Sequence, residues 1–205
     1  MLVYIGGEDQ VTKLIAKKIV SSILPNANIE FEDVSPRDYG AKALSKIDQM
    51  VKLGETYPTI CVFDSDANCS VTLLKEHTTN GWKSRRCAIN IAVDEAESWL
   101  LADREGFSRF FGIDIENIPK LSDGQTEISS LIPYKTSLYI LQKLIPLSKN
   151  KLYSQELACI ERNKKPTNYN TYFQAFINTA WDINNARNNS AILNRAIVRC
   201  TAALT

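Results

Sequence analysis

The sequence predicts an α/β fold, a parallel sheet wrapped by helices, with a C-terminal helical extension. Short apolar runs alternate with amphipathic segments over roughly the first hundred residues, a βαβ rhythm that argues for parallel strands joined by crossover helices. The run Ile60-Cys61-Val62-Phe63 is apolar without interruption, as a strand covered on both faces must be. From Asp94 onward the strand signals stop, and apolar residues recur at helical spacing.

The elements follow in order. Leu2–Ile5 reads as a strand. Val11–Leu24 is amphipathic, with Leu14, Ile15, Ile19, Ile23 and Leu24 on one side, and it stops before Pro25-Asn26. Asn28–Phe31 is a second short strand, and 41–53 a helix carrying Leu44, Ile47, Met50 and Val51, with Gly54 as its stop. Thr59–Phe63 is the third strand, 71–77 a helix and Cys87–Val93 the fourth strand. Asp94–Ala102 reads as a helix with Ala96, Trp99 and Leu100 inward. Arg104–Phe111 is another, with Phe107, Phe110 and Phe111 inward and Gly112 at its end. The polar segment 114–126 is loop-like. Ser137–Leu144 and Tyr169–Trp181 read as helices, the latter striped by Tyr172, Phe173, Phe176, Ile177, Ala180 and Trp181. Ser190 is placed to cap a last helix bearing Ile192, Leu193, Ala196, Ile197 and Cys200. The reading gives an α/β domain over 1–110 and a helical extension over 111–205 packed on it, since an exposed aromatic stripe would exceed what soluble monomers tolerate.

Composition is that of an ordinary globular chain: 205 residues, 44% hydrophobic and 23% charged. A net charge of +1 excludes a strongly basic nucleic-acid glue but not local basic patches. The chain opens on a strand-like run without a signal-peptide layout, and no uncharged stretch reaches the ~18 residues of a membrane span. A cytoplasmic protein is expected. The five cysteines (Cys61, Cys69, Cys87, Cys159 and Cys200) include no Cys-x-x-Cys pair, so they read as buried or free thiols.

The chemistry concentrates at strand ends. Gly6-Gly7-Glu8-Asp9 follows the first strand and Asp64-Ser65-Asp66 the third, at the edge where open α/β sheets bind ligands. Glu8, Asp64 and Asp66 would repel one another without a cation among them, and hard oxygen ligands suit Mg²⁺ or Mn²⁺. Asp94-Glu95-Ala96-Glu97 after the fourth strand adds Glu95 and Glu97 as candidates for a second metal; its bland alternative is acids favoured at a helix N-terminus. Gly-Gly-Glu-Asp likewise also fits a tight turn with an acid at the helix start, which leaves Glu8 and Asp9 as alternatives.

A glutamate after strand one and an Asp-x-Asp after strand three, about 55 residues on, resemble the Toprim fold of topoisomerases, primases and several nucleases. The Glu-x-Glu followed by Trp99-Leu100-Leu101-Ala102-Asp103 is similar to a segment of small bacterial Toprim-like proteins, some encoded beside ATPases in phage-defence loci. Overcoming-lysogenization-defect nucleases also carry acids beyond Asp-x-Asp that complete a two-metal site. The resemblance implies a metal-dependent nuclease acting on DNA or RNA, with Glu8, Asp64 and Asp66 catalytic and metal-binding, Glu95 and Glu97 as further metal ligands, and an ATPase as partner protein. Arg104 is the residue expected to meet charge building on the phosphate. A homo-oligomer is compatible with this reading. The opening departs from the family's commoner Glu-Gly pattern. No strand-passing tyrosine or primase zinc motif is evident, which leaves hydrolysis as the simplest chemistry.

Two other classes compete. Haloacid-dehalogenase-type phosphatases also place Asp-x-Asp after a buried strand, but want a small hydroxyl residue where this chain has Asn68, and usually use the first strand. A non-catalytic Toprim-like scaffold is the third reading. His77, the single histidine, reads as partly packed on its helix. Lys83-Ser84-Arg85-Arg86 lies at the rim opposite the acids. Arg162-Asn163-Lys164-Lys165 is a loop-borne basic run able to meet a nucleic-acid backbone. Asn168-Tyr169-Asn170 and Trp181-Asp182 resemble the tail of the same small family.

Overall fold

Val3 and Ile5 of β1 (Leu2–Gly7) are fully buried, and this strand pairs on both sides. The computed structural model describes residues 1–34, 41–66, 68–77, 85–157 and 165–205. With β2 (Glu30–Asp33), β3 (Thr59–Asp64) and β4 (Cys87–Ala92), β1 forms a sheet that is parallel throughout, in the order β2-β1-β3-β4. All six residues of β3 and of β4 are buried, as the unbroken apolar run requires. The second strand is displaced from the expected 28–31 to Glu30–Asp33, because its register on β1 pairs Leu2 with Glu30 and Ile5 with Asp33.

Helices cover both faces. Successive strand residues point to opposite sides, and the two glycines ending β1 show which helix lies where. A Cβ on Gly6 would stand 2.6 Å from Cys61 Sγ and 3.2 Å from Met50 Sδ. A Cβ on Gly7 would stand 2.6 Å from Thr12 Oγ1 and 3.0 Å from the Lys13 backbone nitrogen. Both helices therefore approach the end of β1 more closely than any residue with a side chain would allow. On the Gly7 side is α1 (Gln10–Ile23), burying Val11, Ile15, Ala16, Ile19 and Val20. On the Gly6 side the expected helix over 41–53 is broken into α2 (Ala41–Leu44) and α3 (Ile47–Leu53). Ala43, Ile47 and Met50 pack there with Cys61, Phe63, Cys87 and Ile89. Beyond β3 lies α4 (Ser70–His77).

The described chain forms two compact units, 1–96 with 194–205, and 97–193. In the second unit α5 (Glu97–Leu101) begins three residues later than the sequence suggests, and α6 (Arg104–Phe111) ends on Gly112 in the left-handed region as expected. The helix expected over 137–144 is α7 (Thr136–Tyr139) running into a turn of π-helix over 140–144. Then come α8 (Lys151–Glu156), α9 (Tyr169–Thr179) and α10 (Ile183–Asn188). The aromatic stripe is buried as the sequence requires: Phe173 and Phe176 are inaccessible, Trp181 is 2% exposed, and the rings of Phe107, Phe110 and Phe111 lie against Phe176. Trp181 donates its indole N–H to the Trp99 carbonyl at 3.3 Å.

The last helix, α11 (Ala191–Leu204), is capped as predicted, Ser190 Oγ accepting from the Leu193 amide at 3.1 Å. Its second half belongs to the first unit. There the Asn90 side chain, fully buried in β4, donates to Cys61 O at 3.2 Å and contacts Cys200 Sγ at 3.3 Å. Arg199 Nε donates to its Oδ1 at 3.1 Å. The polar group in mid-sheet is thus satisfied on both sides, as burial demands. No helix among the described residues is long and apolar enough to cross a membrane.

Candidate functional site: the acidic edge of the sheet

The chain leaves β1 for β2 on one side and then returns to β3 on the other, so the strand order reverses between β1 and β3. Crevices at such a reversal, outside the carboxyl ends of the strands, are where open α/β sheets bind ligands. Glu8 follows β1 and is half-buried; Asp64 ends β3 and is 7% exposed; Asp66, two residues on, is exposed. The same edge carries Asp33 at the end of β2, and Asp94 and Glu95 after β4. Every described strand thus ends in an acid.

The choice between Glu8 and Asp9 is resolved by helix capping. Asp9 Oδ1 accepts from the Thr12 amide at 2.8 Å and the Asp9 amide donates to Thr12 Oγ1 at 3.1 Å, a reciprocal capping box on α1. Asp9 serves the helix, and Glu8 is the carboxylate at the switch point.

Past the end of their ladder, β3 and β4 remain laced together. The Ser65 amide donates to Ala92 O at 3.0 Å, the Asp94 amide to Ser65 Oγ at 2.8 Å, and the Asp66 amide to Asp94 O at 3.1 Å. Asp64 Oδ1 accepts from the Ala96 amide at 2.8 Å. The lacing puts Asp66 at φ 46° and Asp94 at φ 62°, the left-handed region that aspartate tolerates better than most residues. The helix predicted from Asp94 cannot start there for this reason, and begins at Glu97 instead.

Sequence reasoning missed Lys13. It is 6% exposed on the first turn of α1, and its ammonium pairs with Asp33 at 2.8 Å. A buried cation against the strand ends offsets part of the negative charge gathered there. The signal was a lysine two residues into an apolar helix face, which reads more simply as a solvated position.

The remaining candidates lie in the second unit. Glu97 is 1% exposed; Lys165 Nζ donates to its Oε1 at 3.0 Å and the Tyr169 hydroxyl donates to the same atom. Arg104 Nη2 donates to the carbonyls of Ile115 and Ile118 at 2.9 and 3.1 Å, holding the turn after α6. Asp103, fully buried, caps α6 by accepting from the Gly106 amide at 3.1 Å, and also accepts from the Asp182 amide at 2.7 Å and Asn185 Nδ2 at 3.2 Å. Asp182 in turn caps α10. The Trp-Leu-Leu-Ala-Asp and Trp181-Asp182 strings therefore meet in one packing and capping network.

Among the described residues, no three His, Cys, Asp or Glu side chains are disposed to hold a metal ion. The His77 side chain, Lys83-Ser84, Cys159 and the run 162–164 lie outside the described residues; Arg85 and Arg86 are exposed, with Arg86 donating to Thr56 O at 3.2 Å. The chain matches no family model, no curated protein and no solved structure.

The thiols divide by burial. Desolvation pushes Cys87 and Cys200 up to about 12 and Cys61 well above its usual range. Exposed Cys69, before α4, is lowered by hydrogen bonds from Thr72 and Val71. Iodoacetamide at pH 8 is expected to modify Cys69 in the native protein, and Cys61, Cys87 and Cys200 only after denaturation; peptide mapping by mass spectrometry decides. Thiols raised by folding keep protons that the unfolded chain has lost, so stability should fall as pH rises from about 9 toward 12.

Proposed function

We propose that this chain is a divalent-metal-dependent phosphodiesterase of the Toprim type, cleaving DNA or RNA with Mg²⁺ or Mn²⁺. The observation that carries the reading is the pair Glu8 and Asp64 at the ends of β1 and β3, where strand order reverses, with Asp66 beside them. All are hard oxygen donors, which fit these ions. Mg²⁺ is commonly held by one or two carboxylates plus substrate phosphates rather than by an all-protein cage. An acidic edge lacking a three-acid cluster of its own fits an ion that arrives with its substrate.

In this reading Glu8, Asp64 and Asp66 hold the ion, Glu95 and Glu97 serve a second one, and Arg104 meets phosphate charge. A metal so bound would polarise the scissile phosphate and activate water. The protein's own contribution is orientation. The Ala96 amide fixes Asp64, the lacing of β3 to β4 fixes the backbone of Asp66, and Lys13 lessens the repulsion that such a gathering of carboxylates creates. A phage-defence role and an ATPase partner rest on the sequence resemblance alone.

The test is a panel of single- and double-stranded DNA and RNA incubated with Mg²⁺ or Mn²⁺, with and without EDTA. Metal-dependent cleavage abolished by chelation is the expected result. Turnover of a phosphomonoester alone would replace the reading with a phosphatase. Binding without turnover of either would replace it with a scaffold.

A further inference from the structure

A carboxylate removed from water needs a partner for each oxygen, and Glu97 has partners for only one. The side chain is 1% exposed. Both of its donors, Lys165 Nζ and the Tyr169 hydroxyl, converge on Oε1, and among the described residues no donor reaches Oε2. Burying a charged oxygen without a hydrogen-bond partner is costly. The arrangement around Oε1 is, by contrast, tightly built: Lys165 Nζ stands 4.6 Å over the centre of the Tyr169 ring, so one aromatic residue seats the ammonium and donates to the carboxylate. Tyr169 is 2% exposed and stacked on Phe173 at 4.3 Å, which fixes the direction of its hydroxyl.

We infer that Glu97 is a split carboxylate, with Oε1 anchored by Tyr169 and Lys165 so that Oε2 is presented to a hard divalent cation. The inference rests on the metal-dependent reading above and deepens it: it names the ligating oxygen and makes Tyr169 and Lys165 positioning residues. A partner that donates to one oxygen of a ligating carboxylate orients it, and loss of such a partner typically costs 10–100-fold in metal affinity. The two anchors differ in sign. The Tyr169 hydroxyl is neutral and serves geometry alone. The Lys165 ammonium also repels a cation on the neighbouring oxygen, so its removal strengthens the ligand. An interaction that only held the fold together would not give opposite signs.

The experiment is Mn²⁺ binding to the full chain, followed by electron paramagnetic resonance and isothermal titration, with circular dichroism as the check on folding. Glu97→Gln is expected to weaken Mn²⁺ binding more than about 10-fold and Tyr169→Phe about 10-fold. Lys165→Met should tighten it a few-fold, and Lys165→Arg should restore the original affinity. Wild-type binding left unchanged by Glu97→Gln and Tyr169→Phe would overturn the inference while leaving the metal reading intact. So would a Lys165→Met variant that binds no more tightly than wild type. That arm also decides should Tyr169→Phe not fold, because Lys165 is partly exposed. A wild-type chain that binds no Mn²⁺ would remove the metal reading and this inference together.

Discussion

Asp64→Asn is expected to abolish metal-dependent cleavage while leaving the protein folded. The substitution preserves shape and an acceptor for the Ala96 amide, which bonds Oδ1 at 2.8 Å, and removes only charge. Loss of a group that stabilises transition-state charge typically lowers turnover on the order of 10²–10³-fold. The melting temperature should hold or rise, since one of several like charges along the sheet edge has gone. Asp64→Ala confounds the two effects by orphaning the Ala96 amide, so the amide isostere is the cleaner variant. If Asp64→Asn combined with Asp66→Asn cuts at the wild-type rate in a folded protein, the catalytic reading ends and a binding role takes its place.

The largest loss of stability is expected at Asp103. Asp103→Ala strands the Gly106 and Asp182 amides and the Asn185 side chain around a fully buried site, and breaking a buried charge network costs about 3–5 kcal/mol. Gly106→Ala should approach the same cost from the other side. A Cβ there would stand 2.0 Å from Asp103 Oδ2 and 3.0 Å from the Ala180 carbonyl, so the carboxylate must leave its donors. Because both changes remove the same interactions, the double variant should be far less destabilised than the sum of the two singles. Urea denaturation of the three variants measures this; additive losses would mean that Gly106 acts through something other than Asp103.

What was legible in the sequence is what local pattern controls. The apolar runs gave β1, β3 and β4, and the 3.6-residue spacing gave α1, α6, α9 and α11. Asp64 and Asp66 stood out because acids directly follow a run with no polar residue in it. The rest was set by partners distant in the chain. Nothing near Asp94 signals that its amide will be claimed by Ser65, 29 residues earlier, and so delay α5. Asp33 was hidden by a polar second strand whose register on β1 is a tertiary choice. The short helices α8 and α10 have too few turns for a periodic signal. Tyr169 was visible only as one member of an aromatic stripe; its hydroxyl finds Glu97 from 72 residues away.

The return of the second half of α11 to the first unit has a consequence for biosynthesis. The side chain of Asn90 is made early, but its partners Arg199 and Cys200 emerge only after all of 97–193 has been translated. At elongation rates of about 5–20 residues per second, that interval is roughly 5–20 s. Throughout it, the nascent sheet carries a bare flank on β4, long enough for a chaperone to bind and release it repeatedly. Premature termination anywhere in that interval would leave a ribosome product with its strands made and its closing helix missing, a substrate for proteolysis rather than a smaller working domain.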